Sequence, residues 1–312
     1  MENFLLAVEA VAPLFCLMFI GLCVKRGRLL TDAELVHVNR LVFTVFFAIM
    51  MFYNLYITDI GTVMRPRLML FAVGALAVIY LVSFFLICRT VQSNRSRGAM
   101  IQAIYRSNFV LMGIPLAANI CGEAEVAVTT MMIAIVVPIY NILGVFTLET
   151  FRGGRFAFWP ILRGVLKNPM ILGALLGAFC MLIGLPIPKA VLKPLAQVTA
   201  AATPLALIVL GASFHFGSSL IRWRPLAACV AGRLVLVPGI VLFTAMALGF
   251  RGIEFVTLIS IFATPSAVAS FAMAQQMDSD AELAGNCVVY SSALSCITIF
   301  GWVFLFKVLG LY

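Results

Sequence analysis

Apolar stretches long enough to cross a lipid bilayer follow one another along the whole chain. A membrane-spanning helix needs about 20 mostly apolar residues. Windows of roughly this size lie at residues 4–24, 36–57, 68–88, 99–121, 126–147, 170–185, 190–215, 226–250, 254–275 and 284–308. Hydrophobic residues form 63% of the chain and charged residues only 11%, which leaves too few polar side chains for a soluble domain. We therefore predict an all-α integral membrane protein with about ten transmembrane helices.

The longest polar interruption lies near the middle, at residues 151–168. It contains Gly153-Gly154, several basic residues and the Asn168 that precedes the next apolar stretch. We divide the chain there into a first block, residues 1–150 with spans one to five, and a second block, residues 169–312 with spans six to ten. Because five is an odd number, the second block must be inverted in the membrane. Inverted repeats of this kind are a common construction of secondary transporters.

Two proline motifs interrupt apolar windows at corresponding places in the two blocks. They are Met-Gly-Ile-Pro at residues 112–115 in span four and Ala-Thr-Pro-Ser at residues 263–266 in span nine. Proline lacks a backbone N–H and clashes with the carbonyl four residues earlier, so Ile261 should lose its helical partner. Broken backbone persists in a membrane only inside protein or beside a water-filled cavity. We predict a substrate site where spans four and nine are broken, lined by Gly113, Ile114, Pro115, Thr264, Pro265 and Ser266.

A single proline in a membrane helix can also be a simple kink. Asn108, about two turns before Pro115, either binds a ligand through its amide or caps the break. Arg106 and Arg233 lie well inside spans four and eight, and intramembrane charges are by default candidates for a functional site. Long arginine side chains can instead reach the headgroups. No deep acidic cluster opposes the arginines, which favours an anionic substrate over a cation.

The net charge of +9 is spread over loops and forms no nucleic-acid-binding patch. Lys and Arg are retained on the cytoplasmic side of membrane proteins. The basic residues concentrate in alternate loops, at Lys25, Arg26, Arg28, Arg89, Arg95, Arg97, Arg152, Arg155, Arg163, Lys167, Arg222 and Arg224. This pattern predicts a multi-pass protein of the cell membrane with both termini on the non-cytoplasmic side, and no nucleic-acid partner.

Other chemistry is not supported by the motifs. His37 and His215 lack carboxylate or cysteine partners at ligand spacing, so neither a metal site nor a catalytic triad is predicted. A phosphate-binding Gly-x-x-x-x-Gly-Lys-Ser/Thr loop is absent from the sequence. Thr31 and Glu34 have the spacing of a capping box that begins span two. We expect no enzyme and no cofactor, while coupling to H⁺, to Na⁺ or to neither stays open.

The chain resembles the auxin efflux carrier family, which includes plant carriers and bacterial relatives. An Asn-x-x-x-Met-Gly-Ile-Pro-Leu core stands at residues 108–116, and further similar motifs stand at residues 167–169, 203–213 and 264–267. The resemblance covers essentially the whole chain. It implies ten helices in two inverted five-helix repeats, with the broken fourth and ninth helices crossed at the site. By position, Asn108 matches the substrate-contacting asparagine of the family, and Pro115 and Pro265 match its crossover prolines.

The resemblance also implies how the molecule works. Spans one, two, six and seven would form a scaffold, which pairs in a homodimer, and spans three to five and eight to ten would move past it as an elevator-like transport unit. The chain lacks the long cytoplasmic loop of the plant carriers, so it resembles a compact bacterial member of the inner membrane. Such relatives are associated with malate, malonate and other small carboxylates. The sequence therefore favours a secondary transporter for a small organic anion, with a non-transporting membrane receptor for such an anion as the alternative.

Overall fold

The computed structural model describes residues 2–57, 65–122, 126–152, 158–214 and 223–312, and these residues are almost entirely helical. The helices of the first block are α1 (Glu2–Arg26), α2 (Asp32–Leu41), α3 (Phe47–Tyr56), α4 (Pro66–Thr90), α5 (Asn94–Tyr105), α6 (Ile114–Cys121), α7 (Val126–Met131) and α8 (Ile133–Arg152). The following helices are α9 (Phe158–Lys167), α10 (Pro169–Leu182), α11 (Lys189–Ser213), α12 (Trp223–Ala231), α13 (Val237–Ala247), α14 (Gly252–Phe262), α15 (Ala269–Gln276) and α16 (Ala281–Val308). Among the described residues, three π-helical turns lie at Val42–Phe46, Phe109–Gly113 and Gly232–Leu236.

Several helical segments are long and apolar enough to cross a membrane. Within the described residues there are six, namely Asp32–Tyr56, Pro66–Thr90, Val126–Arg152, Lys189–Ser213, Trp223–Ala247 and Ala281–Val308. The pair Ile161–Lys167 and Pro169–Leu182 passes the same test together but is bent by 61°. Phe109–Cys121 and Gly252–Phe262 are shorter apolar helical segments, and they belong to the two windows predicted to be broken. The molecule is a multi-pass membrane protein.

Local sequence signals fix where two of the long helices begin. The Thr31 hydroxyl accepts from the Glu34 backbone N–H at 3.3 Å, and the Glu34 carboxylate accepts from the Thr31 N–H at 2.7 Å. This reciprocal pair confirms the predicted capping box at the start of α2. Asn168 caps α10 by accepting from the Met170 N–H at 3.0 Å, with Pro169 in the first turn where its missing N–H costs nothing.

Glycines bring two helix pairs into very close contact. A Cβ atom added at Gly211 of α11 would lie 2.1 Å from the Met18 carbonyl oxygen of α1, and one at Gly21 would lie 2.1 Å from that of Ile208. On α10, a Cβ at Gly173 would lie 2.2 Å from the Ala48 carbonyl oxygen of α3. Small residues permit such backbone approach between membrane helices, where dispersion contacts drive association. Helices α1, α3, α10 and α11 are thus joined by packing that tolerates no larger side chain at these glycines.

Helix α14 lies at the centre of the described structure. All of its residues from 255 to 262 are buried, so other helices enclose it on every side. Three residues used in the sequence predictions, Arg155, His215 and Arg222, lie outside the described residues, as do residues 153–157 of the predicted linker.

Candidate functional site

The two predicted helix breaks are present, but the first lies earlier than the sequence predicted. Helix α5 ends at Tyr105, residues 106–108 are not helical, and the π-helical turn Phe109–Gly113 then leads into α6. Pro115 therefore sits inside a helical stretch directly after the π-helical turn. The changed hydrogen-bond spacing of a π-helical turn accommodates a residue without an N–H. The second break, residues 263–268, contains Pro265 as predicted.

The two breaks cross and satisfy each other's backbone groups. The Asn108 N–H donates to the Pro265 carbonyl at 2.7 Å, and the Ala267 N–H donates to the Arg106 carbonyl at 3.2 Å. Ser107 and Ser266 thereby face each other in an isolated antiparallel bridge. Backbone that would otherwise be unsatisfied in the membrane is paired across the two halves of the chain.

Arg233 joins the same crossover from α12–α13 through all five of its N–H donors. Its Nε donates to the Thr264 carbonyl at 2.9 Å, while its two terminal nitrogens donate to the carbonyls of Ile104, Tyr105, Ile261 and Phe262 at 2.5 to 3.2 Å. The side chain is fully buried, at 0% exposure. The Ile104 and Tyr105 carbonyls lie at the C-terminal end of α5, and those of Ile261 and Phe262 lie at the C-terminal end of α14. The helix dipole favours a cation at both ends. We call this arrangement the Arg233 clamp.

Arg106 is bound very differently, although it is also buried. Its guanidinium donates to the Asn141 amide oxygen at 2.6 Å, to the Met273 sulfur at 2.6 Å and to the Gln102 amide oxygen at 3.4 Å. The first contact is good, a thioether sulfur is only a weak acceptor, and the third contact is long. No carboxylate of the described residues forms an ion pair with Arg106.

A cavity of about 70 Å³ lies beside the crossover. Its polar lining consists of Arg106, Ser107, Asn108, Asn54, Tyr140, Asn141 and Thr203. Asn108 is only 7% exposed, yet its Nδ2 has no hydrogen-bond partner among the described residues. An unpaired buried donor costs about 1–3 kcal/mol, so this amide is ready to bind an acceptor.

The predicted site residues occupy different places around the crossover. Arg106 and Asn108 line the cavity, whereas Arg233 and residues 264–266 hydrogen-bond within the crossover and are not among the lining residues. Gly113 packs against α14, where an added Cβ would lie 2.7 Å from the Ser260 carbonyl oxygen. Pro115 lines a neighbouring cavity of about 230 Å³ with Pro13, Asn119, Thr203 and Leu111, and Leu111 and Thr203 border both cavities.

The described residues contain no group of three or more His, Cys, Asp or Glu side chains that could hold a metal ion. Residues 6–303 match the sequence profile of a family described as membrane transport protein. The chain belongs to this family. Among membrane transport proteins it is similar to one described as an uncharacterized transporter from Methanothermobacter thermautotrophicus. The two are 26% identical over 307 residues, which cover 96% of this chain and 98% of the relative. The resemblance to the auxin efflux carrier family is confirmed.

Several site residues of this membrane transport protein were missed by the sequence reasoning. Asn141 holds Arg106, Tyr140 shares a 2.9 Å hydrogen bond with the Ser107 hydroxyl, and Asn54 lines the same cavity. Each is a polar residue inside a long apolar window, which is a usable signal.

Proposed function

We propose that this protein is a secondary transporter that carries a small organic anion, a carboxylate such as malate or malonate, through the helix crossover. One observation carries the proposal: Arg106 is a buried cation without a carboxylate partner among the described residues, and it lines the cavity beside the unpaired Nδ2 of Asn108. Arg106 supplies the attraction and Asn108 supplies a directed donor. A carboxylate accepts from both.

The energetics of burial support an anionic ligand. An ionised side chain buried without a counter-charge carries a penalty of several kcal/mol even after relaxation. Around Arg106 only neutral acceptors offset it, one of them a sulfur. A carboxylate in the cavity supplies the missing charge, and hydrogen bonds to a charged group contribute about 1.5–3 kcal/mol each. A neutral ligand of the same shape lacks this compensation.

The cavity beside the crossover is small in the present conformation. Its volume is about 70 Å³, against about 230 Å³ for the neighbouring cavity. In our proposal a carboxylate group of the substrate occupies it. The neighbouring 230 Å³ cavity is separated from it by Leu111 and Thr203. In our proposal the remainder of the substrate enters when these walls separate, so binding and movement of the helices are coupled.

The mechanism that we propose is elevator-like alternating access. Ten spans would form two inverted repeats, residues 1–150 and 169–312 joined by the linker 151–168, and the glycine-packed α1, α3, α10 and α11 would belong to the rigid scaffold. The crossover with Arg106 and Asn108 would ride on the moving unit. Support comes from the few polar contacts between these parts, such as the Asn39 Nδ2 donating to the Ala272 carbonyl at 3.2 Å. Such contacts can break and re-form as the unit slides.

We further propose that the protein lies in the cytoplasmic membrane with both termini outside, and that it pairs through the scaffold. The alternate loops rich in Lys and Arg support this orientation. Coupling to H⁺ or Na⁺ is left open by this proposal. In this proposal the Arg233 clamp supports the crossover, since its five donors already bind five carbonyls.

The test is uptake of labelled malate and malonate into proteoliposomes. We expect saturable uptake by the native protein and a loss of at least tenfold in Asn108→Ala, from the lost charge-assisted hydrogen bond. Asn94→Ala is the matched control, because Asn94 accepts from Arg97 at the start of α5 and lines neither cavity. Equal uptake by Asn108→Ala and the control contradicts the site. Binding of the anion by purified protein without any uptake indicates the receptor alternative instead.

A further inference from the structure

Helix α9 carries an exposed face. Trp159, Arg163, Leu166 and Lys167 are exposed and Leu162 is half-buried, and these five positions recur at three- and four-residue spacing, so they share one side of the helix. Trp159 is 76% exposed and Leu166 52% exposed. The opposite side packs inward through Ile161, and Gly164 meets Glu149 of α8. The outer face is therefore exposed while the helix itself is anchored.

This face combines apolar and basic side chains in a definite order. On a helical projection Leu162, Leu166 and Trp159 fall together, and Arg163 and Lys167 follow along one edge. One open groove runs along this face, and it is lined by Trp159, Leu162, Arg163, Gly164, Leu166 and Lys167. Helices that lie in a membrane interface have this composition, with an apolar face towards the acyl chains and basic residues towards the headgroups.

The position of α9 agrees with that composition. It continues after Asn168 into α10, from which it is bent by 61°. Membrane helices tilt by about 20° on average, so a helix turned by 61° from a typical span is strongly inclined towards the membrane plane. Leu172, Leu175 and Leu176 on α10 are each more than half exposed, so the apolar surface of α9 continues into the apolar surface of a span.

We propose that α9 is a membrane-surface helix and that Arg163 and Lys167 bind the phosphate groups of anionic phospholipids while Trp159 inserts beside them. Trp is the residue type that favours the headgroup level. A basic side chain near an anionic surface gains about fivefold in lipid affinity. The site is independent of the crossover cavity, and it can be present whether or not the protein transports an anion.

Quenching of tryptophan fluorescence by brominated lipids tests this site. All measurements use the Trp223→Phe variant, since Trp223 is also exposed. The fluorescence of Trp159 is obtained by subtracting the fluorescence of the Trp159→Phe, Trp223→Phe double variant from that of Trp223→Phe. Vesicles contain a minority of phosphatidylglycerol in phosphatidylcholine, with the bromine on one lipid or the other. We expect both lipids to quench Trp159, and phosphatidylglycerol to quench at least fivefold more than its share of the lipid predicts.

The double variant Arg163→Gln, Lys167→Gln should remove this preference while quenching by phosphatidylcholine persists. The matched control is Lys189→Gln, Lys193→Gln, which also neutralises two exposed basic residues four positions apart, at the start of α11. An unchanged preference in the first double variant contradicts the site. Quenching of Trp159 by aqueous iodide instead of by brominated lipid would also contradict it. Protection of Trp159 from both quenchers would contradict it too, because a second copy of the chain would then cover the face.

Discussion

Replacing Arg233 by lysine separates a structural role of this arginine from a substrate-binding one. Arginine offers five N–H donors and lysine three, so at least two of the five clamped carbonyls lose their partner. Each buried group left unsatisfied costs about 1–3 kcal/mol, which gives a loss of about 2–6 kcal/mol. Arg233→Met would remove all five bonds and cost about 5–15 kcal/mol, as much as the whole stability of a typical domain, so that variant should not fold.

The assay is thermal unfolding of the purified protein in detergent, with homogeneity checked by size-exclusion chromatography. At about 2 °C for each kcal/mol, Arg233→Lys should lower the Tm by about 4 °C or more. Arg106→Lys is the matched control, because Arg106 donates to side chains, so its loss leaves no backbone carbonyl unpaired. We expect a small Tm change there. The clamp is refuted if Arg233→Lys keeps the native Tm, and a loss of malonate affinity in that same variant would assign Arg233 to the ligand.

Two further variants test the cavity and the crossover packing. In Arg106→Met the uncompensated buried charge is gone, so the ligand-free variant should have a higher Tm than the native protein, and malonate should no longer raise the Tm of the variant. A strong loss of stability would instead show that Arg106 supports the fold. Gly113→Ala should destabilise the protein by about 1–3 kcal/mol because the new Cβ meets the Ser260 carbonyl oxygen, whereas Gly74→Ala, which has open space, should be neutral or stabilising. Equal Tm values for these two glycine variants would contradict the close approach of the π-helical turn Phe109–Gly113 and α14.

The sequence predicted the helical membrane fold well, because apolar length and helix capping are local properties. The Thr31 and Glu34 box begins α2 as its spacing indicated. Pro265 marked the second break correctly, and the carbonyl of Ile261 indeed loses its helical partner and accepts from Arg233. Pro115 marked the first break only approximately, because the π-helical turn before it absorbs the missing N–H and moves the break to residues 106–108.

The roles of the two buried arginines could not be separated from the sequence. Arg106 and Arg233 lie at similar depths in apolar windows, and depth alone does not show which acceptors surround a side chain. Arg233 meets the carbonyl ends of two broken helices, which are distant in sequence, whereas Arg106 meets the side chain of Asn141. The exposed face of α9 was also missed, because its residues fell within a stretch interpreted as a linker. These features depend on contacts between distant segments, which local patterns do not encode.

The most direct test of the central claim is a titration of purified protein with malonate and with malonamide, its neutral diamide. The two ligands have nearly the same shape and differ in charge, so the comparison isolates the contribution of the buried Arg106. We predict that the native protein binds malonate at least tenfold more tightly than malonamide and that Arg106→Gln abolishes this difference. Equal affinities of the native protein for both ligands, or a preference for malonate that survives in Arg106→Gln, would contradict an anion site at the crossover.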